Sequence, residues 1–377
     1  MKTGQRLAVL GLVLGVVLLQ GASADPVITS IQGNGSLSWT NNINTAAVYR
    51  VEWAPSASGP WYRSFQNLSY IEAQSNKAFT ATVPMFYRVA MATNPPPAGM
   101  CLIEAGPFQM GYPDYNPTGT NLSIYVSAFF MDRYLVTKSM WDNVRTWAKT
   151  NGYPDIVTGQ AGSDSAGNAV IWSNHPALKI TWYDCVKWCN ARSEKAGLIP
   201  AYYTNSAQTA VYRTGSNDIQ NAWVKWDATG YRLPTEAEWE KAARGGLTSR
   251  IYPWGDTIDG SQANFANSGD AYDNGTTPVG YYNGSQQPAG CDMANGYGLY
   301  DMAGNVWEWC WDWRGAPLSN GSVDPRGLDS SPNTNRVLHG GPWLNGAESV
   351  YAKTDCRSGC EPYVPSTIDG FRCARSF

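Results

Sequence analysis

Four tryptophans on alternate residues leave one segment of this chain few ways to fold. Gly298 to Trp313 reads Gly-Leu-Tyr-Asp-Met-Ala-Gly-Asn-Val-Trp-Glu-Trp-Cys-Trp-Asp-Trp, with Glu308, Cys310 and Asp312 between Trp307, Trp309, Trp311 and Trp313. A strand with that pattern has one indole face and one polar face. Each indole buries roughly 150 to 250 Å², so the segment predicts the centre of a domain core. The polar residues carry a second message: Asp301, Gly304, Val306 and Glu308 can present two carboxylates and two main-chain carbonyls, an oxygen set that suits a hard cation such as calcium.

The chain around this segment is long enough for two domains, at 377 residues with 43% hydrophobic and 15% charged content. Its net charge of -3, with no basic run or stripe, gives no reason to expect a nucleic-acid partner. Lys2 and Arg6 precede an apolar run from Leu7 to Leu19 and then Ala22-Ser-Ala24, which predicts a signal peptide over residues 1–24 and a secreted chain. The run is too short to span a bilayer core of about 30 Å. No transmembrane segment is expected after cleavage.

Residues 25–93 have a different texture. Leu37 and Trp39, then Tyr49, Val51 and Trp53, then Tyr87, Val89 and Met91 alternate with small or charged partners. Period two in short runs broken by Gly and Pro predicts a small antiparallel β domain, similar to a fibronectin III or immunoglobulin-like sandwich. Residues 94–99, Asn-Pro-Pro-Pro-Ala-Gly, form a stiff linker to a second domain over 100–377. There Thr137 is placed to cap a helix whose Met140, Trp141, Val144, Trp147 and Ala148 share a face. Thr181 caps another bearing Trp182, Cys185, Val186 and Cys189, and Thr235 with Glu238 has capping-box spacing for a third. Glu236 and Glu238 read as first-turn carboxylates beside a helix dipole, not as a catalytic pair. His175 and His339 sit in loop-like contexts that suit surface or hydrogen-bonding roles.

Gly298 to Trp309 resembles a signature of the formylglycine-generating enzyme, or sulfatase-modifying factor, family. Ordered segments agree with it: Phe129 to Thr137, Ile180 to Asp184, Tyr231 to Glu240, Tyr252 to Asp256, Arg336 to Gly341 and Gly370 to Ala374. The resemblance implies an α+β, loop-rich, C-type lectin-like fold after the small all-β sandwich. It implies structural calcium at Asp301, Gly304, Val306 and Glu308, and at a second site of Asn264, Phe265, Asp270 and Tyr272. It also implies a disulfide between Cys189 and Cys373. The family's other bridge has Ala243 at one of its positions, so Cys356 stays free or pairs with Cys360 or another cysteine; Cys101, Cys185, Cys291 and Cys310 are not assigned partners.

The same resemblance implies an activity and removes its centre. The family's oxidase holds copper(I) through two thiolates and converts a substrate cysteine to formylglycine; the two matching positions are Asn345 and Val350. An amide and an isopropyl group supply no thiolate, so no catalytic residue and no copper are expected. The leading expectation is a secreted binding protein for an extracellular protein, peptide or glycan. Its contacts are expected from Trp343, Asn345, Glu348, Tyr351, Tyr363 and Asp369, with the rim around Trp307 and Trp313. Two alternatives stand beside it: an oxidase with displaced copper ligands, and a structural cell-surface or adhesion component.

Overall fold

The computed structural model describes residues 27–31, 37–40, 49–54, 86–91, 96–111, 122–272, 274–315, 318–330, 334–346 and 350–377. The chain divides into two compact units, Met1–Pro95 and Pro96–Phe377. In the first, β1 (Val27–Ile31) pairs antiparallel with β2 (Leu37–Thr40), and β3 (Tyr49–Ala54) with β4 (Phe86–Met91). The period-two runs are thus strands, while the signal peptide and the segments that would close a sandwich lie outside the described residues. Among those residues, no helix is long and apolar enough to cross a membrane.

The second unit is a mixed α/β fold with few helices. β5 (Met100–Ile103), β6 (Gly106–Met110), β7 (Leu122–Val126) and β8 (Phe129–Asp132) lead into α1 (Lys138–Thr150). β9 (Gln160–Ala161) and β10 (Ala177–Leu178) precede α2 (Trp182–Lys195), and β11 (Tyr231–Arg232) precedes α3 (Glu236–Ala243). β12 (Trp307–Trp313), β13 (Arg336–His339), β14 (Ser358–Cys360), β15 (Asp369–Gly370) and β16 (Ala374–Ser376) follow. One sheet has the order β11-β16-β8-β5 and the other β14-β13-β12-β15.

The helices start where their caps dictate. The Thr137, Thr181 and Thr235 hydroxyls accept from the backbone N–H of Met140, Asp184 and Glu238. Thr181 and Asp184 also form a reciprocal capping box, which satisfies two of the free N–H groups at the start of α2. On α1 the buried face is Trp141, Val144 and Ala148, while Met140 is exposed and Trp147 only half-buried. The expected face is therefore one position too wide on its N-terminal side.

β12 is buried along its whole length. Trp307, Trp309 and Trp311 pack into a core with Trp141, Trp182 and Trp188 of α1 and α2, whereas Cys310 joins Ala237, Trp239 and Ala242 of α3. The polar face is covered too, because α3 lies on it: Trp239 Nε1 donates to Glu308 Oε2 at 2.9 Å and the Glu236 N–H to Asp312 Oδ2 at 2.7 Å. Register with β13 shifts between Trp309 and Trp313, and there the Trp311 N–H bonds to the Pro234 carbonyl at 2.8 Å instead of to the sheet.

Candidate ligand face and cation sites

Between Ala243 and Trp307 the described chain contains no helix or ladder-forming strand, yet it is held by side-chain and turn bonds. Asn305 is their hub. Its N–H donates to the Asn264 carbonyl (2.9 Å), its carbonyl accepts from Trp343 N (2.8 Å), and its side-chain amide exchanges bonds with the backbone of Thr277 (3.2 and 3.3 Å). Its φ of 66° is in the left-handed region, which asparagine tolerates better than most residues. Asn305 therefore joins the loop of one expected cation site to the loop that carries Asn345. A second tie follows directly, since Ala266 N donates to the Asn345 carbonyl at 2.8 Å. The sequence reading did not single out Asn305, although the Gly304-Asn305 pair is a turn signal.

The residues expected to hold calcium are placed as follows. Asn264 is buried, its Nδ2 donates to the Gly275 carbonyl at 2.9 Å, and its Oδ1 has no partner among the described residues. A buried carbonyl oxygen without a donor is costly and fits a cation. Phe265 and Asp270 are buried in the same loop. Asp270 accepts from Ser268 Oγ (2.6 Å), Tyr282 OH (3.2 Å) and the Tyr272 N–H (2.6 Å), and Tyr272 is half-buried. At the other site Asp301 accepts from Gly280 N at 2.7 Å, and burial pushes its carboxyl up to about 6. Glu308 is fully buried and receives Arg372 Nε and NH2, each at 2.7 Å, beside the Trp239 bond. With three donors in place, a carboxylate retains about one acceptor position for a cation. Gly304 and Val306, the other two residues expected there, are buried on the turn that leads into β12.

The expected contact residues divide. Tyr351 and Tyr363 are exposed, at 43% and 59%, and Asn345 is half-buried. Trp343 and Asp369 are buried at 3% and 2%, which corrects their placement on the surface. The bond from Trp343 N to Asn305 draws that turn into the core, and β15 pairs Asp369 with Trp307 inside the sheet. Trp307 and Trp313 are buried as well, so the rim is formed by Tyr351, whose ring meets Trp307 edge-on at 5.7 Å. Glu348 lies outside the described residues, and Val350 begins a short 3-10 turn to Ala352.

Both histidines are buried, so of the two expected roles the surface one is excluded, while His175 takes the hydrogen-bonding one. His175 is buried and shares a 2.9 Å hydrogen bond with Thr276 Oγ1. His339 belongs to β13, is buried, and stacks on Trp239 at 4.7 Å. Glu236 pairs with Arg357 and Glu238 with Arg232, as structural carboxylates would. Cys189 Sγ and Cys373 Sγ stand 3.6 Å apart. Burial pushes the Cys356 thiol up to about 12 and the Cys360 thiol up to about 11.

With this geometry in hand, residues 87–377 match the sulfatase-modifying factor enzyme 1-like domain family. The chain belongs to the sulfatase-modifying factor family. A family member from Thermomonospora curvata named formylglycine-generating enzyme is 33% identical over 304 residues, covering 73% of this chain and 93% of its own. The chaperone protein LppX of Paenibacillus barcinonensis is 31% identical over 262 residues, 67% of this chain and 80% of its own. Among solved structures, Treponema denticola variable protein 1 superposes with a TM-score of 0.55 at 29% identity, over 74% of this chain and 95% of that one. Sulfatase-modifying factor relatives thus carry both enzyme and non-enzyme names, and the choice for this chain rests on its own residues.

Proposed function

We propose that this chain is an exported, non-catalytic member of the family that binds a protein, peptide or glycan ligand on a calcium-stabilised scaffold. Asn345, Tyr351 and Tyr363 are its contact residues, and the strand pairs of residues 25–93 belong to a sandwich-like spacer. The observation that carries the reading is the amide of Asn345 and the hydrocarbon of Val350 at the positions where the oxidase resemblance requires thiolates. Copper(I), which takes soft thiolate ligands, finds none at those two positions. Incubation with copper, oxygen and a Cys-x-Pro-x-Arg peptide is expected to yield no aldehyde. Peptide or glycan arrays are expected to give a ligand whose binding drops about tenfold or more in Tyr351→Ala or Tyr363→Ala. Aldehyde formation would establish the oxidase alternative, and arrays without a ligand would favour the structural one.

The scaffold has its own test. Calcium at Asn264 and Asp301 supplies the positive charge and the donor-free oxygen's partner, and a Cys189–Cys373 bridge ties α2 to the segment before β16. The melting temperature is expected to fall by several degrees with excess chelator. For oxidised protein it is expected to fall again when reductant is added. Unchanged melting in both would remove calcium and the bridge from the scaffold.

A further inference from the structure

A cleft apart from the Tyr351 face is built around Trp226. A cavity of about 270 Å³ and one of about 510 Å³ share Trp226, Asp227 and Arg326 in their walls. The Arg326 guanidinium lies over the Trp226 ring at 4.4 Å and, among the described residues, donates no hydrogen bond to a protein acceptor. Its loop is fastened on both sides. Asp324 accepts from Ser127 N and Oγ at 2.6 and 2.7 Å, while Asn221 donates its N–H to Asp329 Oδ1 at 2.7 Å and its Nδ2 to the Gly327 carbonyl at 3.2 Å. Trp226 is held by its own bond from Nε1 to the Asn221 carbonyl at 3.1 Å and by edge contact with Trp311 at 5.6 Å. The arginine is therefore positioned before any ligand arrives.

The other arginine of the cavity is already paired: Arg232 meets both oxygens of Glu238 at 2.6 and 2.7 Å. Arg326 is exposed at the mouth of the cleft; desolvation of part of its head group, and then the charge of Arg232, lower its guanidinium from the usual value, against the pull of Asp324 and Glu238. A planar guanidinium with open donors selects a carboxylate, which it can grip through two parallel bonds. Asp227, exposed on the same wall, disfavours a doubly charged group such as a phosphate but accepts hydroxyl hydrogens, and Gln208, whose Nε2 already donates to the Ala222 and Val224 carbonyls, offers its Oε1. We infer that this cleft binds an acidic saccharide, its carboxylate on Arg326 and its hydroxyls on Asp227 and Gln208.

The test is calorimetric titration of the full chain with oligogalacturonate, a neutral cello-oligosaccharide and hexaglutamate, with tryptophan fluorescence as a second signal from Trp226. Saturable binding of oligogalacturonate, weaker by tenfold or more in Arg326→Gln and partly restored in Arg326→Lys, is expected, with the melting temperature of both variants unchanged. Tyr351→Ala is expected to leave this binding intact, which separates it from the ligand face proposed above. No saturable binding of oligogalacturonate, equal binding of the neutral oligosaccharide, binding of hexaglutamate alone, or full affinity in Arg326→Gln each overturns the inference.

Discussion

Arg372→Met is expected to lower the free energy of unfolding by about 3 to 5 kcal/mol, read from urea denaturation with chelator present so that no bound cation compensates. Arg372 and Glu308 are both fully buried. The guanidinium meets the two carboxylate oxygens at 2.7 Å each and also donates to the Tyr300 carbonyl at 2.9 Å. Burial opposes its charge, while Glu308, first, and then Asp301 and Asp132 favour it. Deleting the cation leaves the Glu308 carboxylate without its counter-charge in the middle of the Trp-rich strand, with the Trp239 indole N–H as its remaining donor among the described residues. Adding Glu308→Gln to Arg372→Met is expected to recover a substantial part of the loss, since the stranded charge is gone although the packing is not restored. A single-variant loss below about 1 kcal/mol would mean that water or a neighbouring group replaces the guanidinium at little cost.

What the sequence makes legible here is local or periodic. The three helix starts follow from Thr137, Thr181 and Thr235, whose cap bonds reach only three residues ahead. The alternation from Trp307 to Trp313 likewise fixes a strand with two unlike faces. What is hidden depends on partners far along the chain. Trp343 reads as a contact residue on a surface loop, but a hydrogen bond from its N–H to the Asn305 carbonyl pulls that turn inward. His339 resembles a loop residue until Trp239, on another element, is found stacked against it. Asn305 organises the site through Asn264, Thr277 and Trp343, and none of these contacts has a spacing that pattern reading can detect. The cleft at Trp226 is non-local in the same way, because its arginine, its indole and the serine that fastens its loop come from three separate segments.

Asp312→Asn is expected to stabilise the protein above about pH 8 and to lose that advantage as the pH falls towards about 4. Asp312 is buried; its Oδ2 accepts from the first helical N–H of α3, that of Glu236, and its Oδ1 has no partner among the described residues. Burial, and after it the charge of Glu236, pushes the carboxyl up to about 8, against the opposing pull of that N–H and of Arg357. The folded chain therefore keeps a proton that the unfolded chain releases near pH 4, where a free aspartate titrates. Its contribution to stability is complete below that pH, declines as the pH rises to about 8, and stays lost beyond. A rise from about 4 to about 8 corresponds to roughly 5 to 6 kcal/mol across the window. Asparagine keeps the acceptor for the Glu236 N–H and carries no charge to bury, so the difference between variant and parent should change sign or size with pH. Asp301 and Asp369, also raised by burial to about 6 and about 7, tilt both proteins alike and cancel in that difference. A difference that stays constant from about pH 4 to 9 would show that Asp312 does not titrate in this window, and that its role at the start of α3 is that of an ionised cap.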